Sequence, residues 1–197
     1  MPKLLYQGHG SYRIISNEEV VIYVDPDAGE GYDRPADIIL VTHQHSDHNQ
    51  TQIVCKKQDC TIIQNTNALK NGKYKSFNVK GIQIDAVPAY NSNHDPHECV
   101  GYVIILNDIK IYAAGDTSTT EAMKTLLPNY DLDYALFPID GIYNMDANEA
   151  VSCAEIIGAK HNIPIHTTPG KLFDLKTAEE FNANNRLIIQ PTHEIEL

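Results

Sequence analysis

The stretch Asp37-Ile38-Ile39-Leu40-Val41-Thr42-His43-Gln44-His45-Ser46-Asp47-His48 decides how this chain is read. Its first half is a compact apolar run, which fits a strand covered on both faces. Its second half places three imidazoles and a carboxylate within six residues of that strand's end. Side chains two apart in an extended segment share a face, so His43 and His45 can approach one metal ion together. Asp47 and His48 follow where the chain is expected to turn, which redirects them toward a neighbouring position. Three imidazoles and a carboxylate at the end of a buried strand are costly to desolvate unless a cation lies between them.

Working outward, short strands are expected at Tyr12–Ile15 and Val20–Val24, followed by the stop Asp25-Pro26-Asp27. A helix is expected over 48–56 and a strand over Thr61–Gln64. Hairpins are expected about Lys80-Gly81 and about Asn107-Asp108, the second joining Val100–Leu106 to Lys110–Ala114. Helical signals at 119–127 and 147–160 (Asp146 or Asn144 as N-cap) interleave with strands at 133–138 and 162–165. A last helix at 175–183 precedes a strand at 186–190. Strand-rich hairpins with helices interspersed point to two packed sheets covered by helices.

Two further strand ends carry candidate ligands. Ala113-Ala114-Gly115-Asp116-Thr117 sets a carboxylate beside a glycine, and Ile163-Pro164-Ile165-His166 ends an apolar run on an imidazole. The chain is acidic, with 26 Asp and Glu against 15 Lys and Arg. That balance argues against a nucleic-acid binder, which needs a basic face. Cys55, Cys60, Cys99 and Cys153 form no CxxC pair and read as free thiols. The opening Met1-Pro2-Lys3-Leu4-Leu5-Tyr6-Gln7 lacks a signal-peptide pattern, so a cytoplasmic protein with no membrane association is the expectation.

His-x-His-x-Asp-His, then Gly-Asp-Thr, then Pro-Ile-His, in that order, resembles the metallo-β-lactamase superfamily. Gly8-His9-Gly10-Ser11-Tyr12 and Tyr23-Val24-Asp25-Pro26 make it similar to the branch of small metal-dependent hydrolases that includes ascorbate-6-phosphate lactonase. The resemblance spans roughly residues 6–170. It implies an α/β fold, a four-layer αββα sandwich, with the whole chain 1–197 as a single hydrolase domain.

It also implies that His43 and His45 hold a first metal, Asp47 and His48 a second, that Asp116 bridges them, and that His166 completes the second. His9 and Asp25 would line the site or support its ligands. The superfamily has one more histidine for the first metal, and here the region reads Tyr90-Asn91-Ser92-Asn93-His94-Asp95-Pro96-His97. His94 is preferred over His97 by its spacing to Gly101-Tyr102, with Asn91 lining the site; without either histidine the first metal would be held loosely.

The implied cofactors are two divalent ions, zinc by the His-rich set, with manganese or iron also able to accept it. They would activate a bridging hydroxide to cleave an ester, lactone or phosphoester bond in a small molecule, with Asp47 orienting it or carrying a proton. A nuclease of the superfamily would need a basic surface and usually an added domain. A di-iron redox enzyme would bring more carboxylates or a flavin domain, and a non-catalytic metal binder would follow if His94 failed as a ligand. The segments 26–36 and 91–99 are expected to overhang the site.

Overall fold

The computed structural model describes residues 1–197. Two six-stranded sheets face each other. The first contains β1 (Lys3–Gly8), β2 (Ser11–Ile15), β3 (Val21–Val24), β4 (Ala36–Val41) and β5 (Lys56–Gln64). A single helical turn, α1 (Asn65–Ala68), and a small hairpin, β6 (Leu69–Lys70) with β7 (Lys73–Tyr74), lead to the second sheet. That sheet holds β8 (Ser76–Val79), β9 (Ile82–Pro88), β10 (Val100–Leu106), β11 (Ile109–Ala113), β12 (Tyr134–Pro138) and β13 (His161–Ile165). Between these lie α2 (Glu121–Thr125) and α3 (Ala147–Ile157); α4 (Leu175–Glu180) and β14 (Glu194–Glu196) close the chain.

The two sheets repeat one plan. β1, β2 and β3 run antiparallel, then β4 and β5 add in parallel. β9, β10 and β11 do the same before β12 and β13. Period-two patterning explains why they stack. Ile22, Val24, Ile38 and Leu40 of the first sheet meet Tyr102, Ile104, Ile111 and Leu136 of the second in the central core. The C-terminal ends of β3, β4, β11, β12 and β13 lead directly into Asp25, His43, Asp116, Asp140 and His166, which meet at one edge of the sandwich.

The outer layers are unequal. Helices α2 and α3 cover the second sheet over a cluster of 19 buried residues, whereas only seven form the cluster on the first sheet's outer face. The α3 helix begins at Asp146, whose side chain accepts the Glu149 N–H at 2.8 Å, and ends at Gly158 in the left-handed region; Asn144 is not the cap. The helix expected over 48–56 is absent: the segment takes one 3-10 turn, Thr51–Ile53, before Val54 becomes extended. The Cys55 carbonyl is claimed by the Ala36 N–H of β4 at 2.8 Å and Lys56 pairs with Ala36, and Thr51, Ile53 and Val54 are β-branched and indifferent helix formers. Strand β5 accordingly starts five residues before the expected Thr61.

The strand expected at 186–190 is also not formed. Arg186 makes one bridge with Asn162 beside β13. Ile189 then enters the central core, and Thr192 N–H bonds Tyr6, so the chain crosses to the first sheet and pairs β14 with β1. The other helices are shorter than their signals, α2 ending before Pro128 and α4 before Phe181. All four cysteines are free thiols. No helix is long and apolar enough to cross a membrane.

Candidate metal centre

The loops at the site edge are held in unusual backbone conformations. His9, between β1 and β2, has φ +53°, and its carbonyl accepts both the Tyr6 hydroxyl at 2.8 Å and the His166 N–H at 2.8 Å. Gly10 leaves room for the His48 ring: a Cβ there would lie 2.8 Å from His48 Cε1. Gly115 adopts φ +65° against Thr42, which only glycine does cheaply, and this turn delivers Asp116.

Three histidines are held by a hydrogen bond at Nδ1, and a fourth, His166, has its Nδ1 set beside a carboxylate. His48 Nδ1 donates to Asp25 Oδ2 at 3.0 Å. His43 Nδ1 donates to Thr42 Oγ1 at 3.0 Å, and that hydroxyl donates on to Asp25 Oδ2 at 2.7 Å. His94 Nδ1 donates to Asn91 Oδ1 at 2.9 Å. His166 Nδ1 lies 3.0 Å from Asp140 Oδ2. Fixing Nδ1 selects the tautomer that offers Nε2 as a lone pair, the arrangement that metal-binding imidazoles use.

The Nε2 atoms of His43, His48 and His166 are buried and have no hydrogen-bond partner. They surround Asp116, a buried carboxylate with Oδ1 3.4 Å from His48 Nε2 and Oδ2 3.4 Å from His94 Nε2 and 3.5 Å from His166 Nε2. Such contacts are too long for charge-assisted hydrogen bonds. They suit donor atoms spaced to share a cation, since an orphaned buried imidazole nitrogen otherwise costs desolvation with nothing in return.

Two donor groups fall within metal-binding range, each with its ligand atoms within 4.8 Å of one another. One is His43, His45 and His94; the other is His9, Asp47, His48 and His166. Asp116 adjoins both, grouped with His43 and His48. His94 therefore sits with the first pair of histidines, while His97 is exposed on the rim and Asn91 acts by orienting His94. His9 comes closer than lining the site: its Nε2 reaches Asp47 Oδ2 at 3.1 Å. His161 and His193 lie away from the cluster, His161 stacked on Tyr134.

The electrostatics divide the two groups. Burial and the neighbouring His48 press the His43 imidazole down to about 2, and burial likewise lowers His94. Burial would lower His48 too, but Asp116, Asp25 and Asp47 outweigh it and push it up to about 10. His166 is raised as well, burial being outweighed by Asp116 and Asp140. For Asp116, burial is overcome by His48, His166, His43 and His94, which hold the carboxyl far below its usual range. Asp47 is lowered mainly by its hydrogen bond with His9.

Asp140 escaped the sequence reading. Its side chain is fully buried, meets His166, and accepts N–H groups of Ile142 and Tyr143 at 2.8 and 2.7 Å. Against its burial, these contacts hold its carboxyl at about 2. Pro138-Ile139-Asp140-Gly141 is a strand-end carboxylate beside a glycine, the same signal that marked Asp116. Thr42, which links His43 to Asp25, was likewise read only as the end of a strand.

Three cavities open on the cluster. A central one of ≈ 270 Å³ is lined by His45, Asp47, His94, Asp116, Tyr143 and His166. A larger one, ≈ 650 Å³, runs from His43, His45 and His94 along residues 93–99. A third, ≈ 240 Å³, lies by His9, Asp27, Asp47 and Lys171. Both segments expected to overhang the site thus contribute walls.

The family described as the beta-lactamase superfamily domain matches residues 3–166. The chain is 30% identical to a metal-dependent hydrolase of Thermococcus onnurineus, over 84% of each chain. A solved structure from Parabacteroides distasonis, assigned as a metal-dependent hydrolase, is also 30% identical; its TM-score is 0.74, covering 93% of this chain and 90% of that one. Igni18, a metallo hydrolase from Ignicoccus hospitalis, is 21% identical, with a TM-score of 0.77 over 98% and 97% of the two chains; at that identity it speaks to the fold alone.

Proposed function

The chain belongs to the beta-lactamase superfamily domain family, and on that premise we propose that it is a metal-dependent hydrolase that holds two divalent ions and cleaves an ester, lactone or phosphoester bond in a small molecule. The observation that carries this reading is the set of three buried, unpartnered Nε2 atoms, of His43, His48 and His166, around the buried Asp116. His43, His45 and His94 would hold one ion; Asp47, His48 and His166 would hold the other, with His9 beside them and Asp116 between the two. The nitrogen-rich set suits zinc best.

Such ions, when bound, lower the pKa of a shared water from 15.7 toward about 7 and polarise the substrate oxygen. The chain's own residues supply the rest. Asp25, Thr42, Asn91 and Asp140 hold the imidazoles by Nδ1, so that each Nε2 is fixed before substrate arrives. Asp47 is half-exposed at the floor of the central cavity, with Oδ2 engaged by His9 and Oδ1 left to accept a proton or orient the attacking water. The residues involved run from His9 to His166, which supports taking the chain as one hydrolase unit. The narrower resemblance to the lactonase branch keeps a lactone among the substrates to be tried.

The test is turnover of a panel of aryl ester, lactone and phosphodiester substrates by zinc-loaded protein before and after chelation. Hydrolysis lost on chelation and restored by zinc is the expected result. Full activity after exhaustive chelation would sink the proposal.

A further inference from the structure

The ≈ 650 Å³ cavity beside His43, His45 and His94 is larger than the central space over the cluster, and its outer wall carries two carboxylates together with Thr66, Asn93 and His97. Its polar walls include Gln44, Asn65, Asp95 and Glu98, and neither lysine nor arginine lines it. The lysine that lines any of these openings, Lys171, lies in the cavity on the far side, by His9. Two of its amides are tied into the wall: Asn65 Nδ2 donates to the Glu98 carbonyl at 2.6 Å, and Gln44 Nε2 donates to Asn65 Oδ1 at 2.7 Å and to Gln64 Oε1 at 2.9 Å. Acceptors are left over. The Glu98 carboxylate makes no hydrogen bond or ion pair, and Asp95 uses Oδ1 alone, for the His97 N–H at 2.8 Å.

The wall is also built before any ligand arrives. Asn91 and His94 bridge each other by main-chain bonds, and Glu98 and Cys99 N–H both bond the Asp95 carbonyl, at 3.0 and 3.1 Å. His43, only 2% exposed, lines the same cavity, which ties it to the cluster.

We propose that this cavity seats the part of the substrate beyond the scissile bond, and that this part is cationic, an ammonium group, with Asp95 and Glu98 as the specificity-determining residues. The proposal rests on the hydrolase reading for what a scissile bond is, and narrows its substrate class. Two carboxylates with spare lone pairs attract a cation and repel a second anion.

Binding and turnover are measured separately on zinc-loaded protein at low salt. The probes are aryl esters whose acyl chains end in trimethylammonium or tert-butyl, and their ketone analogues, in which CH₂ replaces the ester oxygen. Calorimetry on the ketones should show the ammonium compound binding more tightly than the neutral one. In the double variant Asp95→Asn, Glu98→Gln that preference should shrink by about fivefold or more, the size expected for two half-screened charges. An ammonium preference that is absent in the parent, or unchanged in the double variant, would overturn the proposal. Binding that follows the expected order without turnover of either ester would overturn the hydrolase reading and leave the charge selection standing.

Discussion

Strand β4 carries buried charge at both ends, and the two ends are finished differently. At its start, Asp37 accepts the Val21 N–H at 2.9 Å and is met by Lys57 at 2.6 Å and Lys80 at 2.5 Å. Just past its other end, Thr42 is bonded to Asp25 from the end of β3, and His43 and His48 are held by Nδ1, yet the Nε2 atoms of both imidazoles have no partner. One end is a closed account of donors and acceptors; the other is left open around Asp116. Single buried polar atoms lack partners elsewhere, Tyr12 and Tyr112 hydroxyls among them, but only here do several orphaned imidazole nitrogens converge on one buried carboxylate. The open end is where function is to be sought, and the closed end serves as the internal control.

The contrast breaks most sharply at the open end. Asp116→Ala and His48→Ala should lose bound metal, and hydrolysis should fall by about a thousandfold or more, since water activation depends on the ions. Circular dichroism and thermal melts of the metal-free proteins should show a folded chain, because removing a buried carboxylate or imidazole also removes the cost of desolvating it, and the buried imidazoles left behind can lose their protons. A variant that keeps two ions per chain by elemental analysis would contradict the assignment.

A smaller effect is expected where the ligands are merely held. Asp140→Asn should weaken metal binding by about 10- to 100-fold, the usual range for a group that orients a ligating histidine. The expected loss is confined to one of two ions, since Asp140 meets His166 alone among the histidines. A competition titration with a coloured chelator resolves this; equal weakening of both ions would show that Asp140 acts on the fold instead. His94→Ala should likewise cost one ion, whereas His97→Ala should keep both. The reverse outcome would transfer the ligand role to His97.

The least change in chemistry is expected at the closed end. Asp37→Asn should lower stability by about 1–2 kcal/mol, discounted because both lysines are partly exposed, and leave kcat/KM within about twofold. Lys57 and Lys80 overcome the burial of Asp37 and lower its carboxyl pKa. Its contribution is therefore fully present above the unfolded value of about 3.9 and is lost as pH falls through the lower folded value. Denaturant melts should show parent and variant separated at pH 7 and converging in acid. A gap that widens in acid would have the wrong sign.

Much of the open end was legible in sequence, because histidines and carboxylates at strand ends leave short-range signatures. His43, His45 and His48 fall within one six-residue run, and Asp116 and His166 each terminate an apolar strand. Asp140 was not read, although its Asp-Gly at the end of β12 repeats the signal at Asp116, because a buried carboxylate that serves a histidine looks like any turn residue until the partner is known. His9 was placed only as lining, since its nearness to Asp47 depends on a left-handed turn that spacing does not encode. The fold was legible in its strands and hairpins. The 48–56 segment failed because Cys55 and Lys56 are drawn into pairing with Ala36 of β4, and 186–190 failed because Ile189 is drawn into the core between the sheets. Both are tertiary effects that override a local pattern.

The most direct measurement is the zinc content of the chain after equilibrium dialysis, determined by elemental analysis on protein first stripped with chelator. Two ions per chain is the predicted result, filling the donors left open beyond β4. A chain that takes up none, or that saturates at one, would contradict the account.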